Sequence, residues 1–267
     1  MTQMKNAVPK TLEEHRDYLF SIVRLKLFFL ARWQHEHSDE DFVDILRNRV
    51  DIFRKTDINP EGLTPVADYF HLPAWQNIEH RLQEIYQAVN GDEKQFEEQG
   101  FELLRPHIEN RCERDFNDRS NIASCQCGFL RHDMQLHCDI HDALCFHIVN
   151  DRCPESFFDD REHIKKCFNQ LLDIAENQFH AAKICTVTWL NSVPKWVALF
   201  PRQWQENMSA ASTRVGWHYG YWGQFINARG TFNTKAGEYL RRTGQMPYYP
   251  RFSWCGIKDM REHINSI

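Results

Sequence analysis

The hydrophobic pattern keeps a helical period through the first part of these 267 residues and mixes strand and helix periods after it, and that change limits the fold more than any other feature. Through roughly the first 115 residues apolar side chains recur at helical spacing. Thr11 with Glu14 forms a capping box ahead of residues 12–33, and Ser38 with Asp41 opens a second amphipathic segment reaching Phe53. Asn59-Pro60-Glu61-Gly62 reads as a turn and Thr64-Pro65 as a short helix start. Pro73-Ala74-Trp75 leads into a periodic stretch over 78–89 that Asn90-Gly91 closes, and 94–112 forms a further helix with charges of both signs on its wet face. From about 117–124 onward the runs become short and alternating. Residues 129–136 and 143–149 are expected to pair as a hairpin across 137–142. A helix follows over 163–179, with Ile164, Cys167, Phe168, Leu171, Leu172 and Ala175 on its apolar face. A buried strand covers 183–190, Pro201 stops a short piece over 196–200, and a last helix spans 234–242 with Gly244 as its stop. The expected class is α+β, with an all-helical domain over 1–120 and a mixed-sheet domain over 121–267.

Composition narrows the function. A net charge of −5 provides no general attraction for a phosphate backbone or an anionic bilayer, so neither nucleic acid nor a membrane is an expected partner. Arg24 and Lys26 interrupt the longest apolar run, 18–33, which therefore reads as a buried helix rather than a span. The segment MTQMKNAVPK has neither the apolar stretch nor the small-residue cleavage site of a secretory leader, and a cytoplasmic location is expected. Nine cysteines without a leader read as reduced thiols, most of them small buried residues.

Two segments are chemically unusual. Residues 216–225 hold five aromatics and three glycines, and Trp217, Tyr219, Tyr221, Trp222 and Phe225 could wall a flat or apolar substrate, with His218 as a titratable, candidate catalytic group among them. A tightly packed wedge is the competing reading of the same composition. Arg229, Lys235 and Arg241 follow closely and offer charge to a phosphate or carboxylate. The second segment, His137-x-Asp139-x-His141, carries the ligand types of a mononuclear Fe(II) site, with His218 as a distant further ligand and Asp142 as an alternative to Asp139.

From Gly128 onward the chain resembles the C-terminal domain of a GNAT-like N-acyltransferase family in which an all-helical domain precedes the acyltransferase-like part. The resemblance lies in the order of Phe129-Leu130-Arg131-His132-Asp133-Met134-Gln135, Phe146-His147-Ile148, the helix ending in Phe179, Cys185-Thr186-Val187-Thr188-Trp189-Leu190-Asn191, Leu199-Phe200-Pro201, and Gly230-Thr231-Phe232 running into Ala236-Gly237-Glu238-Tyr239-Leu240-Arg241. The chain departs from the typical pattern in having no Arg/Gln-x-x-Gly-x-Gly/Ala loop for a CoA pyrophosphate. The resemblance implies transfer of an acyl group from acyl-CoA or an acyl-carrier protein to an unknown small molecule. His147 would be the general base and Asn191 or a nearby backbone amide the oxyanion donor, with Trp189 and the 217–225 aromatics binding substrate and Arg229, Lys235 and Arg241 the cofactor. The alternatives are an Fe(II) oxygenase using His137, Asp139 or Asp142, and His218, with no metal in the preferred reading, and a non-catalytic binding module that keeps the acyltransferase shape.

Overall fold

The computed structural model describes residues 9–59 and 71–267. The expected turn at 60–62 and the helix start at Thr64-Pro65 lie outside the described residues. In chain order the elements are α1 (Leu12–Glu36), α2 (Phe42–Ile45), α3 (Pro73–Ala88), α4 (Glu93–Asn117), α5 (Ser120–Ala123), β1 (Leu130–Leu136), β2 (Ala143–Ile148), α6 (Arg161–Asn177), β3 (Lys183–Thr188), α7 (Pro194–Val197), α8 (Arg202–Glu206), α9 (Tyr219–Trp222), α10 (Thr234–Thr243), β4 (Arg251–Gly256) and α11 (Ile257–Ser266). The protein is a mixed α+β chain with a helical N-terminal region and a four-stranded mixed sheet.

Two compact units result. One comprises Lys10–Asp118 and Val215–Pro247, the other Arg119–Arg214 and Tyr248–Ile267. The first crossing falls beside the change of hydrophobic period. The stretch 215–247 departs from a single cut after residue 120, because it packs with the helical unit.

In the helical unit α1 opens on the expected capping box: the Thr11 hydroxyl accepts from the Glu14 amide at 3.2 Å, and the Glu14 carboxylate accepts from the Thr11 amide at 2.9 Å. Leu19, Ile22, Val23, Leu25, Leu27, Phe29, Leu30 and Ala31 are all buried, and over 25–31 α1 is buried around its whole circumference. This accounts for the long apolar run, and no helix among the described residues is long and apolar enough to cross a membrane. Lys26 shares this interior. Its ammonium donates to the Val50 and Asp51 carbonyls and lies 5.0 Å from the Trp222 ring centroid. Burial pulls its pKa down from 10.5 to about 7. The expected segment from Ser38 to Phe53 is shorter and irregular. Asp41 is its cap, accepting from the Val43 amide at 2.9 Å and the Asp44 amide at 3.1 Å, and a widened turn over 46–50 ends at Asp51 with φ of 45°.

The second unit is built on the sheet, in the order β1-β2-β3-β4. β1 and β2 pair antiparallel as the expected hairpin, β2 and β3 parallel, and β3 and β4 antiparallel over all six residues of each. A parallel neighbour requires a crossover, which α6 supplies. Its six expected apolar residues are all buried. Together with Leu130, Leu144, Phe146, Ile184, Cys255, Met260 and Ile264 they form the main core on one face of the sheet. Gly128, just before β1, sits at φ of 62°, and a Cβ there would overlap the Cys167 sulfur, so both conformation and space demand glycine. β4 and α11 fall in a stretch where no element was expected.

Candidate functional site

Alternation along the strands sends half of the sheet residues away from that core. On the second face Ala143, Cys145 and Cys185 form a small buried cluster with Ile140, Phe252 and Trp254 packed against it. His147 follows Cys145 by two residues and therefore shares its face. Asp133 on β1 reaches the same spot, and its Oδ1 lies 2.8 Å from His147 Nε2. The two side chains keep 48% and 41% of their surface exposed, so this pair is open to solvent while the thiols form its floor. With Nε2–H donating to Asp133, the imidazole lone pair sits on Nδ1. Arg131, the register partner of His147, donates to the Ser124 hydroxyl at 3.4 Å. The Cys145 thiol is held far above its ordinary range, first by its hydrogen bond with the Cys185 thiol and then by burial.

The ladder between β2 and β3 stops early. It pairs Ala143 with Lys183, Leu144 with Ile184 and Cys145 with Cys185, and then β2 continues against β1 alone and β3 against β4 alone. His147 lies directly past the point where the two parallel strands part. On the core side of the parted stretch the Thr186 hydroxyl is buried without a hydrogen-bond partner among the described residues.

Asn191 does not serve the expected oxyanion role. It is buried, and its Nδ2 donates to the Thr186 and Arg251 carbonyls at 3.3 and 2.8 Å. Its Oδ1 accepts from the Trp196 and Trp204 indoles at 3.0 and 3.2 Å. Both amide hydrogens are thus committed to the protein, and the residue ties the turn after β3 to β4. Trp189 opens that turn and stacks on Tyr248 with ring centroids 5.9 Å apart, half-buried against the core.

The N-terminus of α6 is occupied by a carboxylate. Asp160 caps it, accepting from the His163 amide at 2.9 Å, with Arg152 paired to the same carboxylate. Behind it, Asp151, His163 and Cys167 form a chain of contacts at 2.8 and 3.5 Å, both made by His163 Nε2. The sulfur also lies 3.8 Å from His163 Nδ1, and with its pKa raised first by burial this trio lacks the thiolate of a nucleophilic site.

The remaining expected residues lie in the helical unit, where most do structural work. Tyr221, Trp222 and Phe225 are buried; the Trp222 indole donates to the Arg49 carbonyl at 2.8 Å and meets Phe29 edge-on at 5.4 Å. The Trp217 amide donates to the Asn48 carbonyl at 3.0 Å, and the Arg54 guanidinium lies 4.7 Å from its ring. Only Tyr219 is freely exposed among these five rings. The aromatic stretch is a packed wedge, not a substrate wall. His218 caps α9, its Nδ1 accepting from the Gly220 amide at 3.1 Å, and desolvation followed by Arg54 lowers its pKa. A Cβ at Gly220 would lie 2.6 Å from that imidazole, which explains the glycine. Arg229 is paired with Glu14 at 2.7 Å, and Arg241 with Glu97 at 3.0 Å, so neither waits for a cofactor phosphate; Lys235 is exposed on α10.

His137, Asp139 and His141 fall in the turn between β1 and β2, where period-2 facing does not apply. His137, Cys138 and Asp139 gather within 4.8 Å, whereas His141 is outside that group and paired with Asp142. The residues not singled out from the sequence are Asp133, Cys145 and Cys185. The signal that could have found them is Cys-x-His on a strand opposite an acidic residue. Neither protein-family models, nor curated proteins, nor solved structures give a match to this chain.

Proposed function

We propose that this protein is an acyltransferase that moves an acyl group from a thioester to a small-molecule acceptor, with His147 as general base. One observation carries the reading: parallel β2 and β3 part directly after Cys145 and Cys185, and the imidazole just beyond is held by a carboxylate at 2.8 Å. In the GNAT-like family that the sequence resembles, a splayed strand exposes backbone groups that can bind an acyl-thioester, and the parting of β2 and β3 supports that role here. Nδ1 of His147 takes the proton of the acceptor nucleophile, and Asp133, bonded to Nε2, stabilises the imidazolium that results. With Asn191 committed elsewhere, backbone amides at the parted ends are the donors for the oxyanion. The Asp160 carboxylate at the start of α6 opposes a pyrophosphate on that helix end, which favours a carrier-protein thioester over CoA.

The test is thiol release from an acylated carrier protein and from acyl-CoA, each with a panel of amines, in wild type and His147→Gln. The carrier thioester should be consumed, and the variant should lose about 10²–10⁴-fold in rate. Its unfolding midpoint should not move, because the imidazole is on the open face. Consumption of neither thioester, or full activity in the variant, would sink the proposal.

A further inference from the structure

The open face of the sheet also holds the ligand set of a metal ion. We propose that Asp133, Cys145 and His147 form a zinc site in which each supplies one ligand and solvent fills the fourth position. The atoms that could bind, one carboxylate oxygen, one thiol sulfur and one imidazole nitrogen, all lie within 4.8 Å of one another. A tetrahedral zinc with bonds of about 2.1 Å holds its ligands about 3.5 Å apart, so rotamer adjustments suffice and no strand has to move.

The backbone explains why the three converge. Cys145 and His147 are two residues apart on β2 and point the same way, and Asp133 faces them from β1. Charge also fits. The carboxylate and the Cys145 thiolate together neutralise a dication, and binding releases one proton, that of the thiol, to solvent. At Nε2 the ion takes the place of the proton now donated to Asp133, and the neutral imidazole carries a proton on Nδ1 instead, so no second proton is released. Cys185, registered opposite Cys145, lies outside the three-residue group and supplies no ligand. The mixture of sulfur and imidazole selects zinc or a similar borderline-soft ion over magnesium or calcium. Three protein ligands with exposed rim residues leave an open position, as catalytic rather than structural zinc sites do. The inference does not depend on acyl transfer, since binding is read without turnover. Where both hold, zinc occupies the imidazole that the base requires, and loading inhibits.

The experiment is a Co(II) titration of the full, reduced, chelator-stripped protein, followed by displacement with Zn(II). One equivalent should give a thiolate-to-cobalt charge-transfer band in the near ultraviolet with the visible bands of a tetrahedral ion. Cys145→Ser should abolish the near-ultraviolet band. His147→Gln and Asp133→Asn, changes at the exposed rim that leave the core intact, should each weaken binding about tenfold or more. Cys138→Ser, in the neighbouring His137–Asp139 turn, should change nothing. The proposal is overturned if the folded wild type gives no thiolate band, if the rim variants bind as wild type does, or if the band survives Cys145→Ser and disappears in Cys138→Ser.

Discussion

Asn191→Ala separates a structural role for this amide from a catalytic one. Trp196 and Trp204 are fully buried, and both indole N–H groups end on Asn191 Oδ1. Alanine orphans them in an interior with no room to rotate toward water. An unsatisfied buried donor costs about 1–3 kcal/mol, so two at mid-range give about 4 kcal/mol. The Thr186 and Arg251 carbonyls lose a donor as well, but each retains a second lone pair and room to relax. In a Trp204→Phe background one indole is already gone, and the same Asn191→Ala change should cost about 2 kcal/mol less. Urea unfolding followed by far-ultraviolet circular dichroism reads all four corners of the cycle. Had Asn191 been an oxyanion donor, alanine would spare stability and cost about 10²–10³ in turnover. A variant within about 0.5 kcal/mol of wild type would therefore refute the structural assignment.

Three further outcomes are expected. Lys26 is charged in both folded and unfolded chains below pH 7, holds its proton only in the unfolded chain between about 7 and 10.5, and is neutral in both above that. The penalty for burying it is therefore fully present below pH 7, and wild-type stability relative to Lys26→Met should rise between those limits by up to about 1.4 kcal/mol per pH unit; a flat difference would contradict the burial. Gly128→Ala combines about 1–2 kcal/mol for the left-handed backbone with overlap on the Cys167 sulfur, so a loss of about 3 kcal/mol should appear in thermal or urea unfolding. Trp222→Phe keeps the ring packing but orphans the Arg49 carbonyl, and should cost about 1–3 kcal/mol by the same assays.

What the sequence disclosed follows the strength of each local signal. The capping box at Thr11 and Glu14, the apolar stripe of α6, the hairpin of β1 and β2 and the Gly244 stop were all readable, because each is decided by residues within one or two turns. β4 was not. Its Phe252 and Trp254 pack on the open face while Ser253 and Cys255 enter the core, so apolar residues appear on both faces and no alternation survives. The return of 215–247 to the helical unit was hidden for a different reason. It depends on long-range contacts such as Trp222 with Arg49 and Arg241 with Glu97, which leave no periodicity in the chain. The richest aromatic segment looked like a ligand wall because burial, not composition, distinguishes a wall from a wedge.

The site shows the same division between local and distant information. His147 drew notice from its place in a motif, yet an imidazole near a strand end has no chemistry until something orients it. Asp133 does so from fourteen residues away, directly after the paired residues 130–132 and at the start of the stretch where the hairpin register shifts before Leu136. A one-residue slip in that register would turn Asp133 toward the core and bring its neighbours to the open face instead. The same argument places Cys145 beside Cys185, since the parallel ladder aligns them at its last rung before the strands part. His147, the candidate zinc ligands and the parted strands are therefore consequences of one pairing pattern: a sheet whose central parallel ladder is three residues long, with Asp133 and His147 on the face opposite the main core.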